Sequence, residues 1–258
     1  MPIVAFRNVS YTIGGREILR NLSLEVEAGE TLVLLGRSGS GKTTALKMVN
    51  GLLFPTSGEV WVDGKPTTAW DPIRLKRHIG YVIQEVGLFP HFTVAENVAL
   101  VPRLEEWPPA KIDTRMRELL DHVGLDPAQF AGRYPRELSG GQRQRVGVAR
   151  ALAADPPLLL FDEPFGALDP VTRHEVQQMF VGLRRTLGKS AIFVTHDVRE
   201  ALLIANRIGL LHQGRLEILA TPEELLQAKG KEVEAFLAVL DWKQSLNQQI
   251  TKSPNGGA

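Results

Sequence analysis

The residues with the clearest capacity for chemistry lie in one glycine-rich segment, residues 36–43. The segment reads Gly36-Arg37-Ser38-Gly39-Ser40-Gly41-Lys42-Thr43 and fits the pattern G-x-x-x-x-G-K-S/T. Its glycines let backbone N–H groups close around an anion, and the N-terminus of a following helix adds partial positive charge. Lys42 can then reach the terminal phosphates of a nucleotide, while Thr43 offers a hydroxyl to Mg²⁺. The pattern predicts a phosphate-binding loop, with an ordinary glycine turn as the alternative.

A second candidate is a pair of carboxylates, Asp162 and Glu163, that follows the apolar run at residues 158–161. Such runs are typical of buried parallel strands, and open parallel sheets place their ligand sites at the carboxyl ends of the strands. We expect Asp162 to hold Mg²⁺, usually through water, and Glu163 to polarise an attacking water. Taken alone, an acidic pair at a strand end is explained equally well by a helix cap or a solvated turn.

A third segment, Leu138-Ser139-Gly140-Gly141-Gln142, precedes a predicted helix and offers a second set of small residues and free N–H groups to an anion. One chain does not need two such cradles for one γ-phosphate. A head-to-tail pair, in which each protomer closes on the nucleotide held by the other, would use both. The alternative is a Ser N-cap followed by a Gly-Gly turn.

The elements that must position these residues alternate between strands and helices. Apolar and alternating runs predict strands, and longer segments of helical period predict helices. Strands are expected at residues 4–13, 18–26, 31–35, 59–62, 79–83, 158–161, 191–194, 208–212 and 215–220. Helices are expected at residues 42–50, 94–101, 110–122, 141–153, 170–187, 222–228 and 231–240. This order predicts an α/β fold with a parallel-sheet core around the phosphate loop and a small antiparallel N-terminal sheet.

The domain organisation follows from where the pattern changes. We expect a single domain over residues 1–240, with a helical subdomain inserted at about residues 87–154, where proline clusters separate helical patterns. Residues 241–258 form a polar segment without apolar periodicity, and we expect this C-terminal tail to be flexible.

Composition excludes several classes of protein. Thirty basic and 29 acidic residues leave a formal charge of +1, which gives no global electrostatic reason to expect nucleic-acid binding. The chain has no cysteine, which excludes disulfides and thiolate metal sites. It also lacks the roughly 18 consecutive apolar residues of a membrane span, so we expect any membrane role to be peripheral.

With these motifs in this order, the sequence resembles the ATP-binding cassette family, whose core is a P-loop NTPase (RecA-like) fold, from residue 4 to about residue 240. The resemblance implies that Tyr11 stacks on adenine and that Gln84 links γ-phosphate and Mg²⁺ to the helical subdomain. It also implies that the loop ending at Asp169 contacts the opposite protomer, and that His196 is the switch histidine at the γ-phosphate. The alternative roles are strand packing for Tyr11, a polar strand end for Gln84 and an N-cap for Asp169. For His196 the alternative is a purely structural role.

The resemblance implies a complete site. The expected catalytic residues are Lys42, Gln84, Glu163 and His196, and the expected metal ligands are Thr43, Gln84 and Asp162. The expected nucleotide contacts are Tyr11, Gly36, Arg37, Ser38, Gly39, Ser40, Gly41, Lys42, Thr43, Thr44, Ser139, Gly140, Gly141, Gln142 and Asp169. ATP and Mg²⁺ are the implied cofactors. The implied assembly is a homodimer or paired cassette on two integral-membrane permease subunits, with a separate substrate-binding protein, at the cytoplasmic face of the plasma membrane.

Within the family, residues 80–84 and 87–98 are similar to bacterial importers of glycine betaine, choline and carnitine. The stretch carries Phe89 and Phe92 in a proline-broken loop, which suits a groove for a permease helix or the joint between subdomain and sheet. The predicted function is therefore an importer ATPase, with a quaternary-amine osmoprotectant as the expected cargo. Importers of amino acids, methionine or anions remain open alternatives.

Two other classes fit less well. A cassette ATPase acting on nucleic acid could use Arg133, Arg136, Arg143, Arg145 and Arg150. However, the near-neutral chain shows no long coiled-coil heptads and no second cassette. A P-loop kinase would have no use for the second cradle at residues 138–142.

Overall fold

The fold consists of two sheets with helices packed around them. The computed structural model describes residues 1–84 and 87–240, with only the backbone given at residues 184–187. In chain order the strands are β1 (Val4–Ile13), β2 (Arg16–Val26), β3 (Thr31–Leu35), β4 (Ser57–Val62), β5 (Lys65–Pro66), β6 (Ile79–Val82), β7 (Leu158–Asp162), β8 (Ser190–Thr195), β9 (Arg207–His212) and β10 (Arg215–Ala220).

The helices occupy the connections between the strands. They are α1 (Lys42–Val49), α2 (Pro72–His78), α3 (Val94–Leu104), α4 (Pro109–His122), α5 (Pro127–Phe130), α6 (Gly140–Leu152), α7 (Pro170–Leu187), α8 (Val198–Ile204) and α9 (Pro222–Gln227), with α10 at residues 231–240. Four of them, α3 to α6, follow one another between β6 and β7. Among the described residues, no helix combines the length and apolar character needed to cross a bilayer.

The larger sheet has the strand order β10-β9-β3-β8-β7-β6. Neighbours from β9 to β6 run parallel, and only β10 is antiparallel to its neighbour. The smaller sheet, β2-β1-β4-β5, is antiparallel throughout. The predicted fold class, a P-loop NTPase core with an N-terminal antiparallel sheet and inserted helices, is confirmed.

The central strands are apolar between their end residues because both faces of the sheet are covered. Alternate residues of β3 point to opposite sides: Leu32 and Leu34 join the core shared with the antiparallel sheet, while Val33 and Leu35 join the core shared with the helices. Every residue of β3, β7 and β8 is buried. A parallel sheet of this kind has no solvent face, which explains the runs of consecutive apolar residues.

Local signals set where the main helices begin. At α3, Thr93 and Glu96 form a capping box. At α7, Asp169 accepts hydrogen bonds from the N–H groups of residues 171 and 172, Pro170 occupies the first turn, and Gly188 ends the helix in a left-handed conformation. These contacts satisfy backbone groups that a helix end leaves unpaired.

Some boundaries differ from the prediction. The helix expected at residues 94–101 continues to Leu104, because Pro102 lies near its end and removes only one late hydrogen bond. Three short helices, α2, α5 and α8, were not predicted, because segments of four to seven residues are too short to show a helical period. The predicted tail at residues 241–258 lies outside the described residues, and the extent of the inserted subdomain stays a prediction.

A cluster of aromatic rings joins the sheet to α7. Phe161 on β7 stacks on Phe193 of β8 with ring centroids 4.1 Å apart, and Phe180 of α7 packs edge-on against both. Phe165 also contacts Phe180, with centroids 5.3 Å apart. This cluster lies directly beneath the residues that follow β7 and β8.

Phe180→Ala is expected to lower the free energy of unfolding by about 3–5 kcal/mol, because it removes a buried ring and leaves a cavity. Equilibrium urea unfolding measures the change. Ile73→Ala is the control, since Ile73 is 60% exposed and should change stability by no more than about 0.5 kcal/mol. A loss below about 1 kcal/mol for Phe180→Ala would show that the neighbouring rings fill the space.

Candidate active site

The predicted phosphate loop connects β3 to α1 and has the geometry that its glycines require. Gly39 and Gly41 have φ values of 78° and 103°, a region that favours glycine. A Cβ on Gly36 would collide with the carbonyl oxygen of Leu211, and one on Gly41 would lie 2.6 Å from Leu19 Cδ2. The loop therefore lies tightly against β2 and β9, and the unpaired first N–H groups of α1 open toward it.

Lys42 folds back over this loop. Its Nζ donates hydrogen bonds to the carbonyl oxygens of Gly36, at 2.8 Å, and Arg37, at 2.9 Å. Burial removes water from the ammonium group and lowers the pKa of Lys42. The buried hydroxyl of Ser40 has no hydrogen-bond partner among the described residues. The loop thus holds a buried cation and an unpaired donor, both of which an anion would satisfy.

Asp162 ends β7 next to the loop. Thr43 Oγ1 donates to Asp162 Oδ1 at 2.8 Å, which joins two predicted metal ligands that are 119 positions apart in the chain. Tyr81 Oη approaches Asp162 Oδ2 at 3.4 Å. Burial raises the pKa of Asp162 above its ordinary value and raises that of Tyr81 as well.

Glu163 turns away from the strand in an unusual backbone conformation, with φ of 46°. Its N–H still donates to the carbonyl oxygen of Val194 on β8, at 3.0 Å. Its Oε2 lies 3.2 Å from Nδ1 of His196, whose side chain is 61% exposed. A non-glycine residue in the left-handed region is uncommon and clusters at functional sites. The turn directs the carboxylate toward the end of the neighbouring strand.

Gln84 shares this space. A Cβ built on Gly166 would lie 3.8 Å from both Gln84 Nε2 and Glu163 Oε2. The absence of a side chain at Gly166 therefore leaves a small open volume between the amide and the carboxylate. The structure thus brings Lys42, Thr43, Gln84, Asp162, Glu163 and His196 to one edge of the parallel sheet, as the sequence predicts.

Residues 139–142 form the start of α6. Ser139 Oγ accepts from the N–H of Gln142 at 3.2 Å, and Gln142 Oε1 accepts from the N–H of Ser139 at 2.9 Å. Gly141 is required by packing, because a Cβ there would overlap the Thr172 methyl group of α7. The capping alternative is therefore realised within this chain, and a role toward a partner's nucleotide stays a prediction.

Asp169 and Tyr11 also occupy positions that folding alone explains. Asp169 caps α7, and hydrogen bonds from the Thr172 hydroxyl and N–H lower the pKa of its carboxyl group. Tyr11 is half-buried, lies opposite Leu19 in the β1–β2 ladder and packs against the core under the antiparallel sheet. The nucleotide and partner contacts predicted for these two residues are additional hypotheses.

A charged group beside the loop was not predicted from the sequence. Glu232 at the start of α10 places Oε2 3.3 Å from Arg37 Nε and 3.3 Å from His212 Nδ1. No local signal marks Glu232, because its partners lie on the phosphate loop and at the end of β9. The contact connects the C-terminal helix to the loop.

Asp162→Asn is expected to raise the free energy of unfolding of the protein without nucleotide near neutral pH, because folding then no longer buries an ionised carboxylate at position 162. Burial raises the folded pKa of Asp162 above its unfolded value, so ionisation costs stability only above the unfolded pKa. The gain should shrink as pH falls from neutral toward the range of an ordinary Asp. Urea unfolding at several pH values measures it.

The matched control is Asp169→Asn, which should have the opposite sign. The pKa of Asp169 is lowered, so its ionised form stabilises the fold above the unfolded pKa and that contribution is lost in acid. A less stable Asp162→Asn protein at neutral pH would contradict the assignment of burial as the dominant effect.

Known proteins share this arrangement over most of the chain. The sequence profile of the ABC transporter family matches residues 19–166. The glycine betaine/carnitine/choline transport ATP-binding protein OpuCA of Bacillus subtilis (strain 168) is 50% identical over 225 residues, which are 87% of this chain and 59% of that protein. The osmoprotectant import ATP-binding protein OsmV of Salmonella typhimurium (strain LT2) is 50% identical over 212 residues, 82% of this chain and 56% of that protein.

A solved structure with the same fold is the ATP-binding cassette MJ0796, a dimer in a post-hydrolysis state bound to ADP and Pi. It aligns with a TM-score of 0.75 and 36% identity over 85% of this chain and 98% of the cassette. The chain spans less than two thirds of the length of the two relatives named above. Since the family profile covers more than half of the chain, the protein is a member of the ABC transporter family.

Proposed function

We propose that this protein binds ATP with Mg²⁺ and hydrolyses it, in a pair of cassettes that drives a membrane permease. One observation carries the proposal. Three features lie at the same edge of one sheet. They are a loop suited to bind an anion, a carboxylate hydrogen-bonded to a threonine hydroxyl, and a second carboxylate paired with a histidine. Nucleotide hydrolysis needs these three functions together.

Lys42 and the loop would bind the phosphates. The two carbonyl oxygens that Lys42 contacts would give way to phosphate oxygens, which are charged and make stronger hydrogen bonds to an ammonium group. The N–H groups at the start of α1 add donors without a Cβ obstacle. The unpaired Ser40 hydroxyl fits the same role.

The donor set suits Mg²⁺. Thr43 and Asp162 offer a hydroxyl and a carboxylate that already lie within hydrogen-bond distance, and Gln84 offers an amide oxygen. Mg²⁺ prefers such hard oxygen ligands and takes the others from phosphate and water. A bound Mg²⁺ would supply positive charge against the phosphates. Tyr81 would keep Asp162 in place from the other side.

Glu163 and His196 would activate the attacking water. The Glu163 carboxylate is the base that accepts a proton from the water, and Nδ1 of His196 lies 3.2 Å from it. Hydrogen bonds from the ring nitrogens to Glu163 and to a phosphate oxygen would fix the base relative to the γ-phosphate.

The second cradle supports a paired arrangement. The capping box at Ser139 uses the N–H of Gln142, while the N–H groups of Gly140 and Gly141 have no intrahelical partner and can meet an anion from outside the chain. MJ0796, similar in fold and sequence, is described as a dimer bound to ADP and Pi. We therefore propose that residues 139–142 and 167–169 close on the nucleotide of a partner. A kinase would not need that closure.

A groove beside Gln84 suits a permease helix. Residues from β6, the loop after Gln84, α3 and α6 surround a cavity of about 320 Å³. Phe89 on its rim is 41% exposed, and the fully buried Asn97 holds the loop by bonding the N–H and carbonyl of Phe89 and the carbonyl of Phe92. Lys76 and Arg77 of α2 and Arg150 of α6 also line the cavity, so its rim combines an exposed aromatic ring with basic side chains. We propose that this groove takes a permease helix. The proposed location is the cytoplasmic face of the plasma membrane.

The proposed cargo is glycine betaine or another quaternary-amine osmoprotectant. It rests on the relatives, two of which are named for glycine betaine, carnitine, choline and osmoprotectant transport. A separate substrate-binding protein would select the solute, since an ATPase site reads only nucleotide. Importers of other small solutes are the alternative.

Lys42→Ala and Glu163→Gln separate the two proposed steps. Lys42→Ala is expected to weaken ATP binding, because it removes the cation at the terminal phosphates. Glu163→Gln should keep ATP binding near wild type and lower turnover by about 10²-fold or more, because the base is lost. Equilibrium ATP binding and phosphate release on the purified chain measure both.

Glu163→Gln should also accumulate an ATP-bound dimer, seen by light scattering after gel filtration. Lys42→Ala, which should not, is the control. Equal loss of ATP binding in both variants would contradict the separate roles. A monomer that transfers phosphate to an acceptor would instead establish a kinase.

Uptake of labelled glycine betaine by source cells at high osmolarity tests the cargo. Deletion of the gene should abolish uptake, and the wild-type gene but not Glu163→Gln should restore it. In cells without a second osmoprotectant importer, unchanged uptake would refute this cargo while leaving the ATPase proposal to the binding and turnover measurements.

A further inference from the structure

A buried carboxylate that the proposed reaction does not use lies behind His196. Glu200 on α8 is 7% exposed. Thr195 Oγ1 donates to its Oε2 at 2.5 Å, and Gln177 Nε2 of α7 donates to its Oε1 at 3.2 Å. Burial is the main cause that raises the pKa of Glu200. Burying an ionised carboxylate costs free energy, which its hydrogen bonds must offset. These hydrogen bonds also fix the residues that donate them.

The Thr195 hydroxyl fixes the backbone on both sides of His196. It donates to Glu200 and at the same time accepts from the N–H of Asp197, at 3.0 Å. Residues 195 and 197 are therefore held by one oxygen atom, with His196 between them. Because the hydroxyl proton points at Glu200, its lone pair is directed toward Asp197. The orientation of the His196 side chain relative to the backbone depends on these two hydrogen bonds.

Arg173 of α7 lies near Glu200. The nearby guanidinium of Arg173 attracts its carboxylate, while Arg173 Nη2 donates to the carbonyl oxygen of Leu168 at 3.1 Å. Arg173 Nε is buried and has no hydrogen-bond partner among the described residues. Arg173 thus contacts residues 167–169, the segment proposed to contact a partner, but no ion pair or hydrogen bond joins it to Glu200 among the described residues.

Packing of α8 does not require the hydrogen bonds of Glu200. Val198, Ala201 and Ile204 of the same helix lie in the core with 3% exposure or less. These side chains anchor α8 by burying apolar surface. The charged and polar groups around Glu200 come from α7, from the end of β8 and from the turn before α8, which are the elements around His196.

From these contacts we propose that Glu200 is a positioning residue for His196. It fixes Thr195 and thereby keeps the imidazole within reach of Glu163. The catalytic part of this proposal rests on the proposed ATP hydrolysis. It assigns Glu200 no contact with nucleotide.

The sharpest test uses Thr195→Val against Thr195→Ser, since serine keeps the hydroxyl and valine keeps the shape. Thr195→Val and Glu200→Ala are expected to lower kcat between about 10- and 100-fold, as small misplacements of a catalytic group do. KM for ATP should stay within about threefold, because binding groups are untouched. Thr195→Ser should stay near wild type.

Two further variants complete the set. The double variant Glu200→Ala with Thr195→Val should be no slower than the slower single variant, because both remove one shared interaction. Exposed Glu217 provides the control, and Glu217→Ala should leave kcat unchanged. Glu200→Gln, which keeps the side-chain volume, replaces Glu200→Ala if the alanine variant does not fold.

A readout independent of turnover is the imidazole NMR resonance of His196 in the nucleotide-free full chain, assigned with His196→Ala. It should move in Thr195→Val and Glu200→Gln and stay in place in Thr195→Ser and Glu217→Ala. An unmoved resonance, or a moved resonance with wild-type kcat, would overturn the proposal. A wild-type chain without ATP turnover would refute the proposed function, while the resonance would still decide whether Glu200 positions His196.

Discussion

The structure depends on how three ionisable side chains, Lys42, Asp162 and Glu200, are satisfied while buried at one edge of a sheet. Each side chain would lower the stability of the fold if it were buried without a hydrogen-bonding or charged partner. Lys42 bonds two carbonyl oxygens of its own loop, Asp162 accepts from Thr43, and Glu200 accepts from Thr195 and Gln177. Among the residues that the structure describes, no ion pair within 4 Å holds any of the three. Their partners are weaker than a phosphate or a metal ion, so a charged ligand could replace those at Lys42 and Asp162.

The parallel sheet is what gathers these groups. In β3, β7 and β8 both faces are buried, so polar residues can appear only where the strands end. Because the strands are parallel, their carboxyl ends meet at one edge, and the residues that follow them converge. The left-handed backbone conformation of Glu163 and the lack of a side chain at Gly166 then decide how close the polar groups come to one another. Geometry at this edge follows from the strand register and two local conformations.

Two predicted contact segments have a complete explanation in folding. Ser139 and Asp169 cap α6 and α7 and satisfy N–H groups that each helix end exposes. The same physics makes helix N-termini suitable for anions from outside the chain, so the cap and the proposed partner contact use one feature. The two roles are distinguished only by a second chain. This is why binding and dimer measurements, and not the geometry of one chain, carry that part of the proposal.

The sequence by itself determined the phosphate loop, the acidic pair at the end of β7 and nearly all long elements. These features depend on local chemistry, because glycine conformations, helix caps and apolar periodicity are determined by residues that are close in sequence. Only the tertiary structure decided which distant groups meet. Thr43 reaches Asp162, Glu163 reaches His196, Glu232 reaches Arg37 and Gln177 reaches Glu200. Most of these contacts depend on the order and register of strands and on how α8 and α10 dock, which are long-range properties that no single segment encodes.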